Sequence, residues 1–194
     1  MGNDPLPDYM TLSGSNITTY FHPGFFSGNG YIDKGISGQN TAQMRARFDK
    51  DVIALNPKVF VIMAGTNDIA QSTSEETIFE NIAYMAATAK AAGIKVVICS
   101  ITPNNRNYSS VGWKSVHIES LNGQFQTLCN NTDGYTYCDY WSSLVARNAS
   151  EAAVDTDINH GLKDAYKLYD DLHPGPAAYT VMEGIVKPII DGLL

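Results

Sequence analysis

Six consecutive apolar residues, Val59 to Ala64, run up to Gly65 and predict a strand covered on both faces. The stretch from Ile94 to Ile101 has the same character and is closed by Thr102 and Pro103, which predicts a second central strand. Aromatic residues between Tyr135 and Tyr140 raise the β tendency and predict a third. Asp8 to Leu12 is a weaker candidate for the first strand. Between these lie patterns of helical period. Met44, Phe48, Val52 and Leu55 recur at spacings of three and four, so Thr41 to Leu55 carries one apolar face. Ile78, Ile82, Met85 and Ala89 repeat that pattern in a segment that opens near a Ser72-x-x-Glu75 capping box and stops at Gly93. Two more helices are expected at Ser115 to Cys129 and Ala177 to Leu194. The last is interrupted near Pro188, which lacks a backbone donor.

Strands thus alternate with helices long enough for right-handed crossovers, which predicts an α/β fold: a three-layer sandwich around a mainly parallel sheet. The length of 194 residues fits one domain, 1–194, with no internal repeat, low-complexity segment or linker. Ligands of such sheets bind at the carboxyl ends of the strands, so the loops that leave those ends carry the chemistry. The longest polar connection runs from Thr102 to Trp113.

Composition narrows the partners. Thirteen basic residues against 20 acidic ones give a net charge of −7, which repels phosphate backbones and anionic lipid, so nucleic acid is not an expected partner. No apolar run approaches the ~18 residues that would span a bilayer. The N-terminus lacks the basic and apolar regions of a signal peptide, and Leu6 breaks a myristoylation motif. The expectation is a soluble protein, secreted or periplasmic where a leader has been removed and otherwise of unassigned compartment. Cys99, Cys129 and Cys138 show neither a CxxC pair nor zinc-ligand spacing; Cys99 reads as a buried inert thiol, and a Cys129–Cys138 bridge has nothing in the spacing to support it. No HExxH or other ligand cluster appears, so neither a metal nor a cofactor is expected.

Three loops carry candidate chemistry. Gly65 releases the chain from its strand, and Asn67 in "AGTNDIA" offers an amide donor at the strand's carboxyl end, where it can hold an oxyanion. The same letters also suit a plain turn with a helix cap. In "KGISGQNTAQM" the glycines flank Ser37, and the Gly38 N–H is a second candidate donor; the alternative is a tight turn before a helix capped by Asn40 or Thr41. In "YDDLHPGPAAY", Asp170 and His173 stand three residues apart, a spacing that on a helical turn sets a carboxylate beside an imidazole and makes His173 a general base. His22, His117 and His160 have no comparable neighbourhood and read as surface or packing residues.

Taken in order, the glycine loop, Gly-x-Asn-Asp and Asp-x-x-His-Pro resemble blocks II, III and V of the SGNH hydrolases, the GDSL esterase/lipase family. The resemblance runs from about Leu12 to the final helix and is nearest to small acetylhydrolases and carbohydrate O-acetylesterases. It implies a flavodoxin-like α/β/α sandwich and metal-independent hydrolysis of small acyl esters, with sugar acetates among the candidate substrates and no cofactor. Carried over by position, Gly38 and Asn67 form the oxyanion hole, and Asp170 orients His173. Block I departs from the family's Gly-Asp-Ser-Ile-Thr: here it reads Gly14-Ser15-Asn16-Ile17-Thr18. In strict register Asn16 occupies the nucleophile's place and has no hydroxyl. A turn remodelled by one residue makes Ser15 the nucleophile, with Ser13 a more distant candidate. The alternatives are therefore a serine esterase and a catalytically silent ester- or carbohydrate-binding relative. A nucleotide binder is disfavoured because no phosphate-cradling turn follows a strand.

Overall fold

The computed structural model describes residues 9–13, 30–104, 113–148, 150–151, 161–167 and 172–194. In chain order the elements are β1 (Tyr9–Ser13), β2 (Tyr31–Asp33), α1 (Thr41–Asp51), β3 (Val59–Met63), α2 (Thr66–Ala70), α3 (Glu75–Ala91), β4 (Lys95–Cys99), α4 (Trp113–Asn130), β5 (Tyr135–Cys138), α5 (Trp141–Leu144) and α6 (Pro176–Leu193). The strands form one sheet in the order β2-β1-β3-β4-β5, and every neighbouring pair is parallel. This is the flavodoxin-like order, with its switch point between β1 and β3.

Alternation along the central strands explains the layers. Phe60, Ile62, Val96 and Ile98 point to one face, where Met44 and Phe48 of α1, Ile78, Ile82 and Met85 of α3, and Leu121 and Phe125 of α4 bury them. Val59, Val61, Val97 and Cys99 point to the other, against Ala178, Tyr179, Met182, Val186 and Ile190 of α6. Complete burial of each large apolar side chain contributes about 1.5–3 kcal/mol before the cost of ordering it. Phe48 meets Phe60 edge-on, with ring centroids 5.0 Å apart.

Several expectations shift. The α3 cap is Ser74, whose hydroxyl accepts from the Thr77 N–H, whereas Ser72 adopts a left-handed φ of 63° in the turn before it. The helix at Pro188 is not interrupted: Pro188 and Gly184 both lie on the exposed side of α6, where water can satisfy the Gly184 carbonyl that loses its donor, while Met182, Val186 and Ile190 hold the buried side. The helix from Thr41 ends at Asp51 and tightens into a 3-10 turn over Ile53–Leu55. Strand β2, with three residues, was too short to stand out as a pattern. All three cysteines are free and buried. Cys129 packs on one face of the sheet and Cys138 on the other, so no bridge joins them.

Candidate active site

At the carboxyl end of β3 the chain turns sharply. Gly65 sits at φ 121°, and a Cβ there would lie 2.6 Å from Cδ1 of Ile101, so glycine is required twice over. The turn opens α2 with Thr66, Asn67 and Asp68. Asn67 donates from Nδ2 to the Gln39 carbonyl at 2.8 Å, which ties it to the glycine loop and uses one of its two amide hydrogens. Asp68, almost fully buried, accepts from the Thr41 N–H at 2.9 and 3.1 Å and from the Thr41 hydroxyl at 2.5 Å. Burial pushes its carboxyl above the usual 3.8, against the hydrogen bonds from Thr41 that lower it.

The loop between β2 and α1 is fastened at both ends. Asp33 accepts from the Gly35 N–H at 2.7 Å; burial raises its carboxyl, while that N–H and the Arg47 charge pull it down. Gln39 is held through its side chain by Arg47 Nε at 2.7 Å, and Asn40 caps α1 in a reciprocal box with Gln43. Gly38 lies between these anchors at φ 80°, and its N–H donates to nothing among the described residues. The β4 end is fixed as well. Asn122 brackets Ile101 with hydrogen bonds to its N–H and carbonyl at 2.8 and 3.0 Å, and the Ser100 hydroxyl accepts from the N–H groups of Tyr140 and Trp141.

His173 is half-buried in the bend before α6, ahead of Pro174, which pairs with Lys167, and Pro176, which opens the helix. The expected partner of His173, Asp170, lies outside the described residues. Gly38, Asn67, Thr102, His173, Pro174 and Tyr179 are among the residues lining one cavity of about 210 Å³. Three of the five site residues expected from sequence, Gly38, Asn67 and His173, therefore meet at one place. Ser15 and Asp170 lie outside the described residues, as do Asn16, His22 and His160. Strand β1 delivers the chain to this edge of the sheet: Ser13, two residues before Ser15, pairs with Met63, which also lines the cavity.

His117 has more of a neighbourhood than its sequence surroundings suggest. Its Nδ1 bonds Glu75 Oε1, and Glu75 Oε2 accepts from Ser120 at 2.6 Å and Gln124 at 3.0 Å. The cluster joins the start of α3 to α4 and does not line the cavity. The sequence assigned no role to Asp68, Asn122 or Ser100, and offered Thr41 only as an alternative helix cap, a place that Asn40 takes. The adjacent Asn-Asp pair marks the first, but its partner is 27 residues away and no local pattern points to it. Among the described residues no group of His, Cys, Asp and Glu is arranged to hold a metal ion, and no helix is long and apolar enough to cross a membrane.

Two potential oxyanion donors and an imidazole that line one cavity are a set of groups that can bind a developing negative charge and move a proton beside it. Residues 13–181 match the GDSL-like Lipase/Acylhydrolase family. The chain belongs to that family. This GDSL-like chain is 33% identical to a GDSL-like lipase of Bacteroides thetaiotaomicron VPI-5482, with 96% of this chain and 87% of that one covered at a TM-score of 0.81. It is 34% identical to a Bacteroides fragilis NCTC 9343 protein assigned as an acylhydrolase, covering 99% and 93% at a TM-score of 0.82. An acetyl xylan esterase shares the fold, at 17% identity, 93% and 99% coverage and a TM-score of 0.71. Among curated proteins, the uncharacterized lipoprotein YqeF of Bacillus subtilis (strain 168) is 36% identical over 78 residues; the match spans 37% of this chain and about a third, 32%, of that protein's length.

Proposed function

We propose that this GDSL-like protein is a metal-independent serine esterase acting on small acyl esters, acetyl groups on carbohydrates among them. Ser15 Oγ attacks the ester carbonyl carbon while His173 accepts the serine proton; the tetrahedral intermediate collapses and the leaving alcohol takes that proton from His173. Water then attacks the acyl-enzyme by the same route, releasing the acid and restoring Ser15. Asp170 orients His173 and stabilises its protonated form. The Gly38 N–H and the remaining Asn67 amide hydrogen hold the oxyanion, a contribution usually worth ~10²–10³ in kcat for one donor.

The observation that carries this reading is the convergence of Gly38, Asn67 and His173 on one cavity at the carboxyl edge of the sheet. Its volume of about 210 Å³ suits a short acyl group; sites for drug-sized ligands start near ~300 Å³. The acetyl xylan esterase that shares the fold makes an acetylated sugar a reasonable first substrate. The test is hydrolysis of p-nitrophenyl acetate: the wild type turns over, and His173→Ala falls by at least ~10³-fold. Equal rates for the two would contradict the assignment of His173.

Asn16 supports a second reading, in which the pocket persists without a nucleophile and the protein binds esters or carbohydrates only. A binding-only protein shows no turnover, yet retains micromolar to millimolar affinity for an acetylated sugar by calorimetry. Covalent labelling of Ser15 by a fluorophosphonate excludes it.

A further inference from the structure

We infer that Asp68 is a positioning residue: its buried carboxylate locks the start of α1 to α2 and thereby sets the spacing between the Gly38 and Asn67 donors. The inference rests on the esterase reading for its effect on rate, but the lock itself is a matter of geometry.

Asp68 is 1% exposed, Thr41 0% and Asn81 6%. Thr41 gives Asp68 both its N–H and its hydroxyl proton, and the Thr41 oxygen in turn accepts from Asn81 Nδ2 at 3.1 Å. Asn81 is steadied by Arg45 Nη1 at 3.2 Å, and the Arg45 guanidinium lies 3.7 Å over the Tyr84 ring. This chain of contacts runs from Asp68 in α2 through Thr41 and Arg45 of α1 to Asn81 and Tyr84 in α3, and Thr41 directly follows the loop that carries Gly38.

The second connection makes the arrangement a ring. Adjacent residues of α2, Asn67 and Asp68, reach across to Gln39 and Thr41, two residues apart on the other segment. A single hydrogen bond would act as a pivot. Two bonds from neighbouring residues fix orientation as well as distance. Gly38 directly precedes Gln39, and no side chain of its own can anchor it, so the ring determines where its N–H stands. Asn67 belongs to the ring itself, and its free amide hydrogen is aimed by the bond the other one makes.

Stability alone accounts poorly for a carboxylate here. Burial raises the Asp68 carboxyl above 3.8, so its ionised form is penalised in the folded protein. A group so shifted lowers stability as pH rises through the interval from 3.8 to its folded value. What a carboxylate supplies, and asparagine does not, is acceptor capacity on both oxygens, matched to the two Thr41 donors at a helix N-terminus. A retained cost beside a candidate oxyanion hole is what positioning for function predicts.

The test compares Asp68→Asn, Thr41→Val and Thr41→Ser with the wild type on p-nitrophenyl acetate, and follows the Gly38 amide and Asn67 side-chain amide by ¹⁵N NMR. Asp68→Asn and Thr41→Val are expected to lower kcat by ~10–100-fold with KM within ~2-fold, while Thr41→Ser stays within ~3-fold of wild type. Both damaging variants displace or broaden the Gly38 and Asn67 resonances; Thr41→Ser does not. Unchanged kcat and unchanged resonances in folded Asp68→Asn and Thr41→Val overturn the inference. An inactive wild type refutes the esterase reading instead, and the resonances then decide the lock on their own.

Discussion

At the scale of single residues, what could be read from sequence was the chemistry that a letter carries by itself. Asn67 offers an amide, His173 an imidazole and Gly38 a backbone that can approach a ligand, and all three line the cavity. Asp68 illustrates the other kind. Its role depends on Thr41, 27 residues away, and a buried carboxylate in a turn motif looks like an ordinary cap until that partner is seen. Gly65 yields a direct prediction. A methyl group at that position meets Ile101 and the backbone holds φ 121°, so Gly65→Ala should destabilise the fold by roughly 2–4 kcal/mol, combining strain and overpacking. Urea denaturation measures it. A loss below about 0.5 kcal/mol, the scale of neutral surface changes, would show that Ile101 yields freely.

At the scale of elements, periodicity located the long helices and the buried strands, because continuous apolar runs and spacings of three and four reflect packing directly. It failed where local chemistry had several equivalent spellings. The run Ser72-Thr73-Ser74 offers three hydroxyls for one cap, and only Ser74 holds the Thr77 N–H. Pro188 failed in the opposite sense, since its cost depends on which side of α6 it occupies. The α3–α4 junction gives a prediction about pH. Burial tends to raise the Glu75 carboxyl, but hydrogen bonds from Ser120, His117 and Gln124 and the His117 charge outweigh it and leave it below 4.5. A depressed carboxyl adds stability above 4.5 that is lost as pH falls through its folded value. Glu75→Gln should therefore lower the melting temperature at pH 7, with the gap to wild type closing as pH drops below 4.5 and through the folded value. A gap that stays constant down to pH 3 would mean that the carboxylate's charge contributes nothing at this junction.

At the scale of the whole molecule, alternation of strands and helices was enough to anticipate a parallel sheet with both faces covered, and the order β2-β1-β3-β4-β5 carries it. Topology then explains why the candidate site lies where it does. Parallel strands send every forward loop to one edge, so residues from the loops after β2, β3 and β4 line one cavity despite wide separation in sequence. Membership of the GDSL-like Lipase/Acylhydrolase family agrees with that placement, while the exchange of letters at Ser15 and Asn16 was not decided by sequence, since register in a turn depends on backbone conformation. The family's order of blocks leaves Ser15 as the hydroxyl next to the displaced position.

The most direct test is mass-spectrometric mapping of protein treated with a fluorophosphonate. One adduct, on Ser15, is expected to form with the wild type and to be absent from His173→Ala. An adduct elsewhere in the chain, or none on a folded wild-type protein, would contradict the assignment of Ser15.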